Sequence, residues 1–93
     1  MIELGVRLAA EFLGTLLLVL TIIATGGSSI FTGVVLAVII FLIGGVSGGH
    51  VNPAVSFAMF LSGSLPASTF LAYSVVQLLG GLTAVYAYKT TVA

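Results

Sequence analysis

Polar residues are so sparse along this chain that its segments are defined by the places where they interrupt apolar sequence. Leu8 to Thr25 is an apolar run closed by the Gly26, Gly27, Ser28, Ser29 cluster, a turn composition. At the helical rise such a run spans about 27 Å, most of a bilayer's hydrocarbon core. Ile30 to Val46 is a second run, rich in Val and Ile but too long for a strand, and as a helix it covers about 25 Å. A third opens at Pro66, a residue suited to a helix's first turn because the N–H it lacks would be unpaired there, and it continues to about Tyr88. Its length of roughly 34 Å allows a tilted crossing.

Between the second and third runs lies SGGHVNPAVSFAMFLSG, Ser47 to Gly63. Asn52 to Leu61 is helical in character but only about 15 Å long, half a bilayer, and it stops at Ser62, Gly63 and Ser64. The Ser47, Gly48, Gly49 run before it breaks the second helix and frees backbone groups that lipid cannot satisfy. Non-helical backbone at membrane depth survives only when buried in protein or lining a wet cavity. The pattern predicts an all-α membrane protein with three transmembrane helices, over about 8–25, 30–46 and 66–88. A re-entrant loop and half-helix occupy about 47–62, and residues 1–93 form a single unit.

Composition agrees with this segmentation and narrows the function. The 93 residues are 60% hydrophobic and 4% charged, against about 25% charged in soluble domains. Glu3, Arg7, Glu11 and Lys89 are the only charges, so no charged face exists to attract nucleic acid or another charged macromolecule. Cysteine is absent, and one histidine with two carboxylates leaves little from which to build a catalytic or metal centre; no cofactor is expected. A chain this short could hardly enclose a pore alone, which points to self-association in the bilayer. Ala10 with Gly14, Gly33 with Ala37, and Gly80 with Ala84 are small-xxx-small pairs suited to close helix contact. Arg7 ahead of an apolar run has the outline of a secretory signal, but the run is long for one and contains Glu11.

The chemistry concentrates at Asn52 and Pro53. Asn is a preferred N-cap and Pro a preferred first helical residue, so together they start the half-helix. The Asn52 side-chain oxygen can accept from the amide of Ala54 or Val55, which leaves its NH₂ group facing outward as a donor. Behind it stands the positive end of the helix dipole, about half an elementary charge. Carbonyls of Gly48, Gly49, His50 and Val51 can line the approach. Such a track of acceptors ending in a donor suits a small neutral hydrogen-bonding solute and repels cations. The bland alternative, an Asn-Pro cap in an ordinary loop, would place this apolar segment outside the membrane.

Ser47, Gly48, His50, Asn52, Pro53, Ala54 and Val55 resemble the first signature loop of the aquaporin and glycerol-facilitator family, the major intrinsic proteins. Ala10, Glu11, Phe12, Leu13, Gly14 and Thr15 resemble its first-helix motif, and Gln77 with Gly80 its third-helix pattern. The resemblance implies a passive channel, not an enzyme, passing water and small neutral solutes such as glycerol. It implies that Glu11, His50 and Gln77 brace the loop, with His50 pairing with Glu11, and that the tip Asn52, Pro53, Ala54 meets a second such tip at the midplane. It also implies filter positions at Thr32, Ile40, Gly49 and Val55. Val55 stands where the family's second tip is followed by an arginine, so the filter arginine is missing. Phe57, Met59 and Phe60 are expected to pack the half-helix, and Tyr86 and Tyr88 to anchor at the interface.

The resemblance covers only half of the family's fold, which has six spans and two half-helices in inverted repeats. With three crossings Arg7 and Lys89 lie on opposite sides of the membrane, and the loops between carry no Lys or Arg. Orientation follows Lys/Arg bias, and one against one gives none. This balance suggests dual topology and an antiparallel homodimer enclosing one pore. Two alternatives stay open here: a dual-topology, proton-coupled small transporter using Glu11, and a non-conducting fragment of a longer channel.

Overall fold

The computed structural model describes residues 2–92. It is all-helical, with α1 (Leu4–Ala24), α2 (Ser29–Ser47), α3 (Pro53–Leu61) and α4 (Ala67–Thr91). Three of these, α1, α2 and α4, are long and apolar enough to cross a membrane. The longest dimension of 40 Å fits a bilayer with its headgroup regions, about 40–45 Å. The nine residues of α3 give about 14 Å of helix, so it cannot cross.

Helix ends depart from the sequence pattern where backbone groups, not hydropathy, decide them. α1 starts at Leu4, four residues before the apolar run, and so places Arg7 inside the helix. α4 extends past Tyr88 to Thr91. Pro66 is the N-cap of α4 and not its first helical residue: its φ of −66° and ψ of 155° are extended, and its carbonyl accepts from the Phe70 amide to open the helix. Ser28 caps α2 by accepting from the Phe31 amide, the usual task of a serine at that position.

The packing order is α2, α1, α4, α3: α1 packs on both α2 and α4, and α3 packs on α4. Among the described residues α2 and α3 form no helix pair, so one side between them stays open. α1 and α4 run parallel and in register, which brings Arg7 to Tyr73 and Glu11 to Gln77 at a constant separation of 66 residues. Gly80 makes this closeness possible. A Cβ there would lie 2.6 Å from the Phe12 carbonyl oxygen and 3.1 Å from the Leu16 amide nitrogen, so only a bare backbone fits. Of the three small-residue pairs, Gly80 with Ala84 lies buried in this contact, whereas Gly33 and Ala37 are exposed on α2.

The interior is inverted relative to a soluble protein. Among the described residues the buried set holds six polar side chains, Glu11, Thr15, Ser47, Ser56, Thr69 and Gln77, and five apolar ones. Outward the apolar residues dominate, with Phe41 85% and Ile30 74% exposed. Lipid tails solvate such surfaces as well as a core would, so burial is reserved for groups that need hydrogen-bond partners. The chain is an integral, multi-pass membrane protein.

Candidate pore half-site

The site begins where α2 ends. Gly48 takes the left-handed conformation (φ 96°) and donates its amide to the Gly44 carbonyl, closing the helix. Gly49 (φ 63°) and Val51 (φ 45°) are left-handed as well. For a β-branched residue that conformation costs about 1–3 kcal/mol and persists only when its surroundings over-determine it. Two contacts hold Val51. Its amide donates to Glu11 Oε1 at 2.7 Å, and its side chain, 3% exposed, sits over Gly14, where an added Cβ would lie 2.7 Å from Val51 Cγ1.

Glu11 is the hub of the site. Fully buried on α1, it accepts four hydrogen bonds. The Ser47 hydroxyl (2.6 Å) and His50 amide (3.0 Å) donate to Oε2, and the Val51 amide (2.7 Å) and Gln77 Nε2 (2.8 Å) donate to Oε1. The carboxylate therefore replaces the water that the loop's backbone N–H groups lack at this depth.

His50 departs from the expected pairing. Its backbone N–H reaches Glu11, but its ring does not: Nδ1 lies 2.9 Å from Ser56 Oγ, and the ring packs edge-on against Tyr73 with centroids 5.2 Å apart. Four donors already occupy the two Glu11 oxygens, and the Ser56 hydroxyl on α3 is the partner within reach of the ring. Gln77 Nε2 also donates to Ser56 Oγ at 2.9 Å, so the Ser56 hydroxyl hydrogen is available to His50 Nδ1, an arrangement that leaves the ring proton on Nε2. Gln77 thus ties α4 to α1 and to the half-helix at once.

At the tip, Asn52 caps α3: its Oδ1 accepts from the Ala54 amide at 2.8 Å, and Pro53 occupies the first helical position. Asn52 is exposed, so its NH₂ donors are free on the open side of the chain. Phe57 and Phe60 hold α3 against Phe70 of α4, at 5.6 and 5.5 Å between ring centroids, whereas Met59 is exposed. Tyr86 is exposed and Tyr88 half-buried on the last turns of α4.

The four filter positions are not gathered in one chain. Ile40 and Gly49 touch, since a Cβ on Gly49 would lie 3.3 Å from the Ile40 Cα. Thr32 lies two turns further along α2, about 12 Å away, and Val55 sits on α3, across the open side.

Sequence reading missed Ser56, Tyr73 and Arg7. Tyr73, fully buried, accepts from Arg7 Nε at 3.2 Å and donates to the Ser47 carbonyl at 2.6 Å. The missed signal was periodicity: Thr69, Tyr73, Gln77, Gly80 and Ala84 are spaced by three or four residues and form the buried face of α4.

The profile of the family described as Major intrinsic protein matches residues 2–93. The chain belongs to this family. Its members are channels rather than enzymes. The chain is similar to "Aquaporin Z" of Brucella melitensis biotype 1, at 39% identity over 84% of this chain and 40% of that protein. It is also similar to "Glycerol uptake facilitator protein-like 6" of Lactiplantibacillus plantarum, at 35% identity over 90% of this chain and 43% of that protein. The chain thus spans about two fifths of the length of these curated relatives. No solved structure matches.

Proposed function

We propose that this protein forms a passive channel for water and small neutral solutes, its lumen completed by a second half-length unit in inverted orientation. The observation that carries the reading is the tip: a half-helix capped through Asn52 Oδ1, with the Asn52 NH₂ group exposed at its positive end. Two such tips meeting at the midplane would present two sets of NH₂ donors. A passing water could there only accept hydrogen bonds, which orients it and interrupts proton hopping, while the helix ends repel cations. The carbonyls of Gly48, Gly49, His50 and Val51 would carry the solute towards that point.

A second copy of this chain is the partner favoured by its charges. Arg7 lies in the second turn of α1 and Lys89 in the last turn of α4, at opposite ends of the membrane crossing. With no bias between sides, both insertions are equally supported. In the inverted pair Thr32 of one copy would complete the ring formed by Ile40, Gly49 and Val55 of the other. Without a filter arginine, that ring would have fewer donors and discriminate less against larger solutes.

The arrangement of Glu11 argues against a proton-coupled transporter. A coupling carboxylate must exchange its proton with the lumen, whereas both oxygens of Glu11 are occupied by donors that hold the loop. The test is osmotic shrinkage of proteoliposomes holding purified protein. Water flow faster than in empty vesicles without a proton gradient is the expected result; flow equal to that of empty vesicles would sink the reading, and uptake only under a gradient would favour a transporter. Terminal tags reporting a single fixed orientation in cells would exclude the homodimer.

A further inference from the structure

We infer that Tyr73, backed by Arg7, is a positioning residue for permeation: it holds the Ser47 carbonyl and so fixes the angle at which the chain leaves α2 towards Asn52. The inference rests on the channel reading but has an independent structural readout. Glu11 secures the loop only by its amides and by the Ser47 hydroxyl. Nothing in that set restrains the carbonyl of Ser47, one of the unpaired acceptors that every helix leaves at its C-terminus. The Tyr73 phenol supplies that restraint at 2.6 Å from the rigid α1–α4 pair.

Arg7 strengthens the restraint in two ways. Its Nε–H donates to the phenol oxygen, which polarises the O–H towards Ser47, since linked hydrogen bonds reinforce one another at low dielectric. Its guanidinium also lies 5.5 Å from the Tyr73 ring centroid, within the range of a cation–π contact. The Tyr73 ring also meets His50 edge-on. Arg7, Tyr73 and Ser47 therefore form a chain from the start of α1 to the first left-handed residue of the loop, Gly48. The next amide, that of Gly49, is itself held by Ser47 Oγ at 3.3 Å. A shift of Ser47 thus reaches the Gly49 backbone, which touches Ile40 at a filter position. Tyr73 acts on selectivity through this path without touching the solute.

The experiment compares wild type, Tyr73→Phe, Arg7→Gln and the double variant after reconstitution from detergent, which removes charge-guided insertion from the comparison. Amide hydrogen exchange over residues 47–52 is measured beside water and glycerol permeability. Tyr73→Phe keeps the ring in place and removes both hydrogen bonds. It should speed exchange over 47–52 about tenfold, the typical worth of one charge-assisted hydrogen bond, while residues 54–61 exchange as in wild type. The glycerol-to-water ratio should rise at least threefold. Arg7→Gln should move both readouts the same way by less, and the double variant should match Tyr73→Phe. Unchanged exchange and an unchanged ratio in Tyr73→Phe overturn the inference, as does a uniform rise in exchange over the whole chain, which marks general destabilisation. Additive effects of the two substitutions overturn the part assigned to Arg7. Should wild-type vesicles pass no water, the channel reading falls, and the exchange data still decide whether Tyr73 clamps the loop.

Discussion

Replacing Glu11 by Gln separates a loop brace from a proton carrier. The carboxylate accepts four hydrogen bonds, two on each oxygen. A carboxamide keeps one oxygen and can satisfy one of these pairs. Its NH₂ group then faces the other pair, in which the Ser47 hydroxyl or the Gln77 carboxamide can turn to accept, so one buried backbone amide, that of His50 or Val51, loses its acceptor. Orphaning a buried donor costs about 1–3 kcal/mol in soluble proteins. Hydrogen bonds in membrane proteins average about 0.6 kcal/mol, so one orphaned amide sets limits of about 0.6 and about 3 kcal/mol. The site favours the upper half of that range. Glu11 is fully buried, and one of its bonds holds Val51 at φ 45°, a conformation the residue would leave if released.

A loss of about 2 kcal/mol is therefore expected, more than tenfold in the folding equilibrium. Thermal melting of the detergent-solubilised protein by circular dichroism should show it as a fall of about 10 °C or more for a chain of this size. Water flux should fall with it, because the released loop no longer presents Asn52 at a fixed place. A Glu11→Gln protein with wild-type melting and wild-type water flux would refute the bracing argument. Wild-type melting with loss of gradient-driven uptake would instead assign Glu11 to proton coupling.

Three further substitutions test other parts of the structure. Gly80→Ala should destabilise by about 1–3 kcal/mol through overpacking against the Phe12 carbonyl. Its neighbour Gly81→Ala, whose Cβ would meet only Val19 Cγ2 at 3.8 Å, should be neutral or gain up to about 1 kcal/mol in helix propensity; equal melting temperatures for the two would contradict the α1–α4 packing. Thr32→Phe should reduce glycerol passage more than water passage in vesicle shrinkage assays, and an equal effect on both removes Thr32 from the filter. Asn52→Asp keeps the cap oxygen but exchanges the lumenal donor for a negative charge, so water flux should fall and cation leak rise; unchanged conductance to both would show that the amide donor is not at the constriction.

The spans, the half-helix and its cap were legible in the sequence because each depends on local chemistry: apolar run length, Asn and Pro at a helix start, Gly and Ser at its end. The bracing network was legible only in part. Glu11 and Gln77 stand out as polar residues in apolar helices, and any such group must find partners. Which partners they find depends on the register between α1 and α4, a long-range property set by the Gly80 contact with Phe12. That register puts Gln77 against both Glu11 and Ser56 and leaves the His50 ring to Ser56. Ser56 and Tyr73 went unnoticed because hydroxyl-bearing residues are common in membrane helices and only their shared face marks them. Pro66 was placed one position too far into its helix because both the cap and the first turn tolerate a residue without an N–H.

The groups most costly to leave unpaired, the Glu11 carboxylate and the loop amides and carbonyl around it, find their partners on α1, α2, α3 and α4 of the same chain. Elsewhere on α2 and α3 the exposed side chains are mostly apolar, Ile40, Phe41, Phe57 and Leu61 among them, and the Asn52 side chain is exposed at the start of α3. Apolar surface there costs little in a bilayer, since lipid covers it as well as protein does. The fold therefore settles the Glu11 carboxylate, its donors and the Ser47 carbonyl within the chain, and leaves the Asn52 NH₂ group exposed at the start of α3. On the proposed channel reading, a second unit would meet mainly apolar surface, so the Glu11 network would be paired before association and not by it.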